Sequence, residues 1–137
     1  MKPALMTAKA QTTIDWITSN YGSEMAVCNF GVQKMFEALF PNEKRPPGMS
    51  GRANEMAEAW ADNPNCWQAI SLSDAQQYAN DGYFVVAGYI NPNPRRSGHV
   101  VVVVPGEAQY SDSWKNDVPM AMDTGYNKRK PNIPLFK

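Results

Sequence analysis

Apolar positions recur along this chain first at helical spacing and then at strand spacing. Ile14, Ile17 and Tyr21 fall near the helical repeat and predict a first helix over roughly residues 8–20, broken by Gly22 and Ser23. In AVCNFGVQKMFEALF, Cys28, Val32, Met35, Phe36 and Leu39 stand at i, i+4, i+7, i+8 and i+11, one face of a second helix. Cys28 opens that helix on its core-facing side. Pro41, Pro46 and Pro47 end it and, with Gly48 and Gly51, make a connecting loop. RANEMAEAWAD predicts a third helix with Ala53, Met56, Ala57 and Trp60 inward. Ser73 and Gln76 match an S-x-x-Q capping box opening a short helix through Ala79, which Gly82 stops in a left-handed conformation.

The pattern then changes. YFVVAGYI and GHVVVVV read as two adjacent strands joined by an irregular loop over Asn91 to Ser97, and VPMAMD, from Val118 to Asp123, reads as a third. Helices first and strands after predict an α+β fold with a small antiparallel sheet rather than alternating βαβ units. The 137 residues fit a single domain.

Composition narrows the function classes. Thirteen basic residues balance thirteen acidic ones, so no overall field favours nucleic acid. The densest basic runs, Asn42 to Arg45 and Lys128 to Lys130, lie beside prolines and read as solvated loops. No stretch approaches the roughly 20 apolar residues of a membrane span, and Met1 to Ala10 lacks the apolar core of a secretory signal. The chain as given is thus expected to be soluble and without an export address of its own. Cys28 and Cys66 stand in different surroundings and are read as thiols. One histidine and two distant cysteines offer no metal-ligand spacing, and neither a G-x-S-x-G elbow nor a glycine-rich phosphate loop appears. Cys66, in NPNCW, has neither a helix start nor a base and reads as structural. Trp60 and Trp67 read as core or groove-wall aromatics.

The chemistry that remains is that of a thiol. A cysteine attacks a carbonyl as its thiolate, which a helix N-terminus or a nearby base promotes. Cys28 has the first. His99, the only histidine, stands at the start of the valine strand and can supply the second. A third polar group must fix the imidazole's tautomer. Asp123, at the end of the neighbouring strand, is the first choice, with Asp112, Asn116 and Asp117 as alternatives. Core packing accounts for the valines and Gly98 leaves room for a close approach, but packing does not account for His99 at the edge.

AVCNFGVQKMFEAL, GRANEMAEAW, SLSDAQQYANDGYFVVAGY and SGHVVVVVPG, in that order, resemble the papain-like cell-wall hydrolases of the NlpC and CHAP type. The closest likeness is to the peptidoglycan amidase effectors that bacteria deliver through type VI secretion. It rests on Cys28, Asn29 and Phe30 at a helix start, on Gly51, Ala53, Asn54 and Met56 in a G-x-A-N-x-M element, and on Gly98, His99, Val100, Val102 and Val103 in G-H-V-x-V-V. Together they span roughly residues 24–125. The resemblance implies a papain-like fold, a Cys28 nucleophile, His99 as base and then acid, and Asp123 as the orienting group. It implies cleavage of an amide in the peptide stem or cross-link of peptidoglycan, without a cofactor or metal.

It further implies a monomeric toxin delivered to the periplasm or cell wall, and a periplasmic inhibitor in its producer. The oxyanion is expected at the backbone N–H of Cys28, helped by Tyr21 or Asn29. Arg95 and Arg96, in a loop longer than the simplest family pattern, are candidates to receive stem-peptide carboxylates. Two rival readings use the same fold: a module that binds peptidoglycan or protein with an idle dyad, and a cysteine hydrolase or deamidase acting on a protein.

Overall fold

A computed structural model describes residues 1–135 and shows four helices, a four-stranded antiparallel sheet and a separate two-stranded hairpin. The helices are α1 (Pro3–Tyr21), α2 (Cys28–Leu39), α3 (Ala53–Asp62) and α4 (Leu72–Asn80). The strands are β1 (Val85–Tyr89), β2 (His99–Val103), β3 (Gln109–Ser111), β4 (Asn116–Val118), β5 (Met120–Asp123) and β6 (Lys130–Pro134). The large sheet has the order β1-β2-β5-β6, and β3 pairs with β4. The expected α+β class with an antiparallel sheet is what is observed. Among the described residues no helix is long and apolar enough to cross a membrane.

The valine run forms an inner strand covered on both faces, which is why it is apolar at every position rather than at alternate ones. Val100, Val102 and Val104 pack into the main core with Val32, Met35 and Phe36 of α2 and with Met56 of α3. Val103 meets Ala75 and Ala79 of α4 on the other side, and Val101 meets Val118, Ala121 and Leu135. The five predicted inward residues of α2 are all buried. Ala53, Met56 and Ala57 are buried in α3 as expected. Trp60 is half-buried, its indole donating to the Gly48 carbonyl at 3.0 Å while Trp67 donates to Pro47 at 2.7 Å. Both rings pack against the core.

Several boundaries differ from the sequence-based expectation. Helix α1 begins at Pro3, well before residue 8, because Met6, Ala10 and Thr13 continue the buried stripe of Ile14 and Ile17 and proline suits a first turn. The segment Val118 to Asp123 is two strands, not one. Val118 ends β4 and Met120 begins β5, with Pro119, which has no N–H for a ladder, between them. Strands β3, β4 and β6 carry polar or proline-containing sequences without an alternating apolar signal, and β6 sits at a sheet edge where Pro131 and Pro134 are tolerated.

The capping box is the clearest correction. Helix α4 starts at Leu72 with Ser71 as its cap residue, and no side chain caps it. Gln76 turns inward instead, donating to the Val104 carbonyl at 2.9 Å and to Asn80 at 3.0 Å while accepting from the Met120 N–H at 2.8 Å. It ties α4 to the ends of β2 and β5, a use that outweighs a solvent-exposed cap. Gly82 does adopt positive φ, +94°, after the helix. Replacing Gln76 with Ala leaves buried backbone groups without that partner and is expected to cost about 2 kcal/mol. Urea unfolding would read this as a lower midpoint at an unchanged slope.

Candidate active site

Three elements bring the site together. Helix α2 begins at Cys28, so its first N–H groups, which have no partner within the helix, point toward the thiol's surroundings. Strand β2 begins at His99, and β5 ends at Asp123. The segment before the helix is stitched to the segment after β5. Val27 N–H donates to the Thr124 carbonyl at 3.1 Å and the Thr124 hydroxyl donates to the Val27 carbonyl at 3.0 Å. Gly31, one turn into α2, lies so close to the Thr124 side chain that a Cβ there would collide with it. The start of the helix and the end of the strand are thereby held in contact.

Within that frame the His99 Nε2 lies 3.0 Å from Asp123 Oδ2. Asp123 is 1% exposed, and its other oxygen accepts the Gly125 N–H at 2.8 Å. Lys128 Nζ lies 3.9 Å from Oδ2. Burial opposes the ionisation of Asp123. The hydrogen bond and charge of His99, with the Gly125 N–H and Lys128 after them, overcome that opposition and hold the carboxyl below its ordinary value. Burial likewise pulls His99 toward its neutral form. Its hydrogen bonds to Asp123 and Cys28, and attraction to their charges, win and raise it from 6.5 to about 9. His99 is therefore protonated at neutral pH, bridging the carboxylate on one side and the sulfur on the other.

Among the third-group candidates, Asp123 is the one beside the imidazole. Asp112, Asn116 and Asp117 are exposed on the β3–β4 hairpin. Each expected oxyanion helper has a hydrogen bond or ring contact of its own. Asn29 donates its amide N–H to the Gly51 carbonyl at 3.0 Å, a carbonyl that Gln33 also reaches at 3.2 Å, so both side chains pin the α2–α3 loop to α2. The Tyr21 ring stacks on Phe30 with centroids 5.3 Å apart. Arg95 and Arg96 are exposed at the tip of the β1–β2 loop. A cavity of about 460 Å³ beside His99 is lined by Tyr89, Trp114, Gly125, Tyr126 and Lys128 together with the histidine, and the two arginines lie outside that lining. Cys28 and Cys66 are both free thiols, the first buried and the second exposed.

Two supporting residues carried no role in the sequence reading. Arg129 sits in the basic run expected to be merely solvated, yet its guanidinium reaches five backbone carbonyls, those of Gly22, Met25, Thr124, Gly125 and Lys128, at 2.7–3.2 Å. It binds the approach to Cys28 to the loop after Asp123. No local pattern marks an arginine that also reaches the carbonyls of Gly22 and Met25, more than a hundred residues earlier. Asn54, within the G-x-A-N-x-M element, accepts the Asn91 N–H at 2.9 Å and donates to the Arg96 carbonyl at 3.3 Å, latching the loop that leads into His99. The room left by Gly98 is filled by that same Asn54 side chain and by the Tyr89 carbonyl.

No protein-family model matches the chain, and no curated protein matches it. Among the described residues, no group of three or more His, Cys, Asp or Glu is arranged to hold a metal ion.

The pH dependence of stability follows from the two shifted groups. Below pH 6.5 His99 is protonated whether the chain is folded or not, and its contribution is whole; it fades as pH rises and is lost above about 9. Asp123 acts in the opposite sense, contributing fully above its ordinary value of 3.8 and losing its contribution as pH falls through the lowered one. Urea midpoints followed from below pH 6.5 to above 9 should decline across that interval in the wild type. The decline should shrink in Asp123→Asn.

Proposed function

We propose that this protein is a papain-like thiol hydrolase that cleaves an amide bond in the peptide stem or cross-link of bacterial peptidoglycan. One observation carries the reaction class: Cys28, the first residue of α2, is within hydrogen-bonding reach of His99, which Asp123 holds at 3.0 Å. A helix start with a histidine beside it is a setting in which a cysteine serves as a nucleophile. The cell-wall substrate rests on the resemblance of the four segments that carry these residues.

In the reaction, the Cys28 sulfur attacks the amide carbon, and the oxyanion is received by the N–H groups at the start of α2. His99 gives its proton to the departing nitrogen as the C–N bond breaks, leaving a thioester on Cys28 and a free amine. The now neutral imidazole takes a proton from water, whose oxygen attacks the thioester and releases the acid. Asp123 stays ionised throughout and keeps Nε2 engaged, so that the other ring nitrogen, Nδ1, serves the sulfur and the leaving group. Delivery to a rival's periplasm and a matching inhibitor in the producer belong to the same proposal, again from the resemblance.

Purified peptidoglycan incubated with the protein should release fragments whose masses show a newly freed amine and carboxyl. Cys28→Ala should release none, a loss of at least about a thousandfold for removal of a nucleophile. An intact sacculus after treatment with the wild-type protein, or equal release by Cys28→Ala, would overturn the proposal. Fragments that are absent from peptidoglycan but appear from a protein mixture would favour a protein substrate.

A further inference from the structure

Arg129 divides its hydrogen bonds between the two segments that carry the candidate site. Nε donates to the Gly22 carbonyl at 2.9 Å and Nη2 to the Met25 carbonyl at 2.7 Å, both in the segment that leads into Cys28. Nη1 donates to the carbonyls of Thr124, Gly125 and Lys128 at 3.2, 3.0 and 2.7 Å, all in the loop that follows Asp123. A planar fork of donors is the side chain suited to carbonyls that converge from two directions.

One of these bonds reaches the Asp123 carboxylate through a single peptide group. The Thr124 carbonyl and the Gly125 N–H belong to the same planar unit, so fixing the oxygen fixes the direction of the N–H. Arg129 donates to that oxygen, as does the Val27 N–H at 3.1 Å, and the Gly125 N–H donates to Asp123 Oδ1 at 2.8 Å. Hydrogen bonds in a chain polarise one another, which strengthens the N–H as a donor. The other carboxylate oxygen, Oδ2, takes His99 at 3.0 Å. The backbone passes so close here that a Cβ on Gly125 would come within 2.8 Å of the His99 ring. Burial works against the charge of the Arg129 guanidinium and the Asp123 carboxylate favours it, so the two groups act on each other.

We propose that Arg129 is a positioning residue for the Asp123–His99 pair, acting through the Thr124–Gly125 peptide, and that the same guanidinium holds the start of α2 against that pair. The effect on catalysis rests on the thiol-hydrolase reading, whereas the positioning is read on the imidazole itself.

Arg129→Lys tests this, because it keeps the positive charge but offers its donors from one nitrogen instead of a fork. The urea midpoint, the nuclear magnetic resonance signals of His99 and fragment release from peptidoglycan are measured on the same preparation. Asp123 is 1% exposed, so in the wild type the proton between it and Nε2 should exchange slowly and give a separate downfield signal. In Arg129→Lys that signal should broaden or vanish, and the His99 midpoint should fall by about one pH unit as the carboxylate loses its fixed orientation. Release at saturating peptidoglycan should slow about a hundredfold, the scale of a small misplacement of a reacting group. Asp123 and Cys28 act on the ring directly and Lys128 on the carboxylate, and the substitution leaves all three in place. Arg129→Gln carries the same test should the lysine variant fail to fold. Loss of a positive charge would by itself raise the His99 midpoint, so a fall there again reports lost positioning.

An Arg129 that only stabilises the fold would lower the urea midpoint and leave the imidazole signal, its midpoint and the release rate at wild-type values. That result overturns the proposal and leaves the hydrolase reading standing. If the imidazole readings change as expected but the wild type releases no fragments, the hydrolase reading falls and the positioning of His99 stands.

Discussion

A carboxylate sealed from water has to be neutralised where it sits, and Asp123 imposes that requirement on everything around it. The cost of burying an isolated charge is large, so the surroundings have to supply a cation and hydrogen-bond donors at fixed positions. His99 provides the cation at 3.0 Å and Gly125 provides a backbone donor at 2.8 Å. The histidine's own raised affinity for a proton is the other side of the same bargain. Its second ring nitrogen is then directed at the one thiol that opens a helix. The candidate chemistry is a consequence of how a buried negative charge is satisfied.

Holding that charge in place occupies much of the polar architecture. Thr124 joins the end of β5 to the residue before Cys28, and Arg129 gathers carbonyls from both sides of the join. Asn54 fixes the β1–β2 loop from α3, with Gly98 clearing the space for it. Gln76 locks the far ends of β2 and β5 to α4. Most of these bonds link segments distant in sequence. Together they limit the drift of a three-group site whose members come from residues 28, 99 and 123, and precise placement of such groups is worth a large share of a catalytic barrier.

The parts of this that the sequence exposed are those with a local signature. Helix α2 announced itself through the spacing of Cys28, Val32, Met35, Phe36 and Leu39, and its first residue was readable because the preceding segment lacks that spacing. The valine run identified an inner strand, and His99 stood out for want of a packing reason. Asp123 was preferred over its neighbours because a strand end beside β2 could reach the imidazole, and the fold places it there. What stayed hidden has non-local causes. The two roles imagined for Gln76 and Arg129, a cap and a solvated loop, follow from their immediate neighbours, whereas their real partners lie up to about a hundred residues away. Asn29 and Tyr21 were chosen for nearness in sequence to Cys28, and their contacts with Gly51 and Phe30 carry no local signature. Trp114 and Lys128 gave no hint of a cavity, which exists only once the hairpin and the loop after β5 are folded against β2.

The chain contains a single histidine, so its imidazole signals in a nuclear magnetic resonance spectrum need no assignment, and their titration tests directly whether Cys28, His99 and Asp123 share charge as one unit. The account predicts that His99 gives up its proton near pH 9, and that in Asp123→Asn the midpoint falls clearly below that, since burial is then opposed by Cys28 alone. A wild-type midpoint near 6.5, or one that Asp123→Asn leaves unmoved, would contradict it.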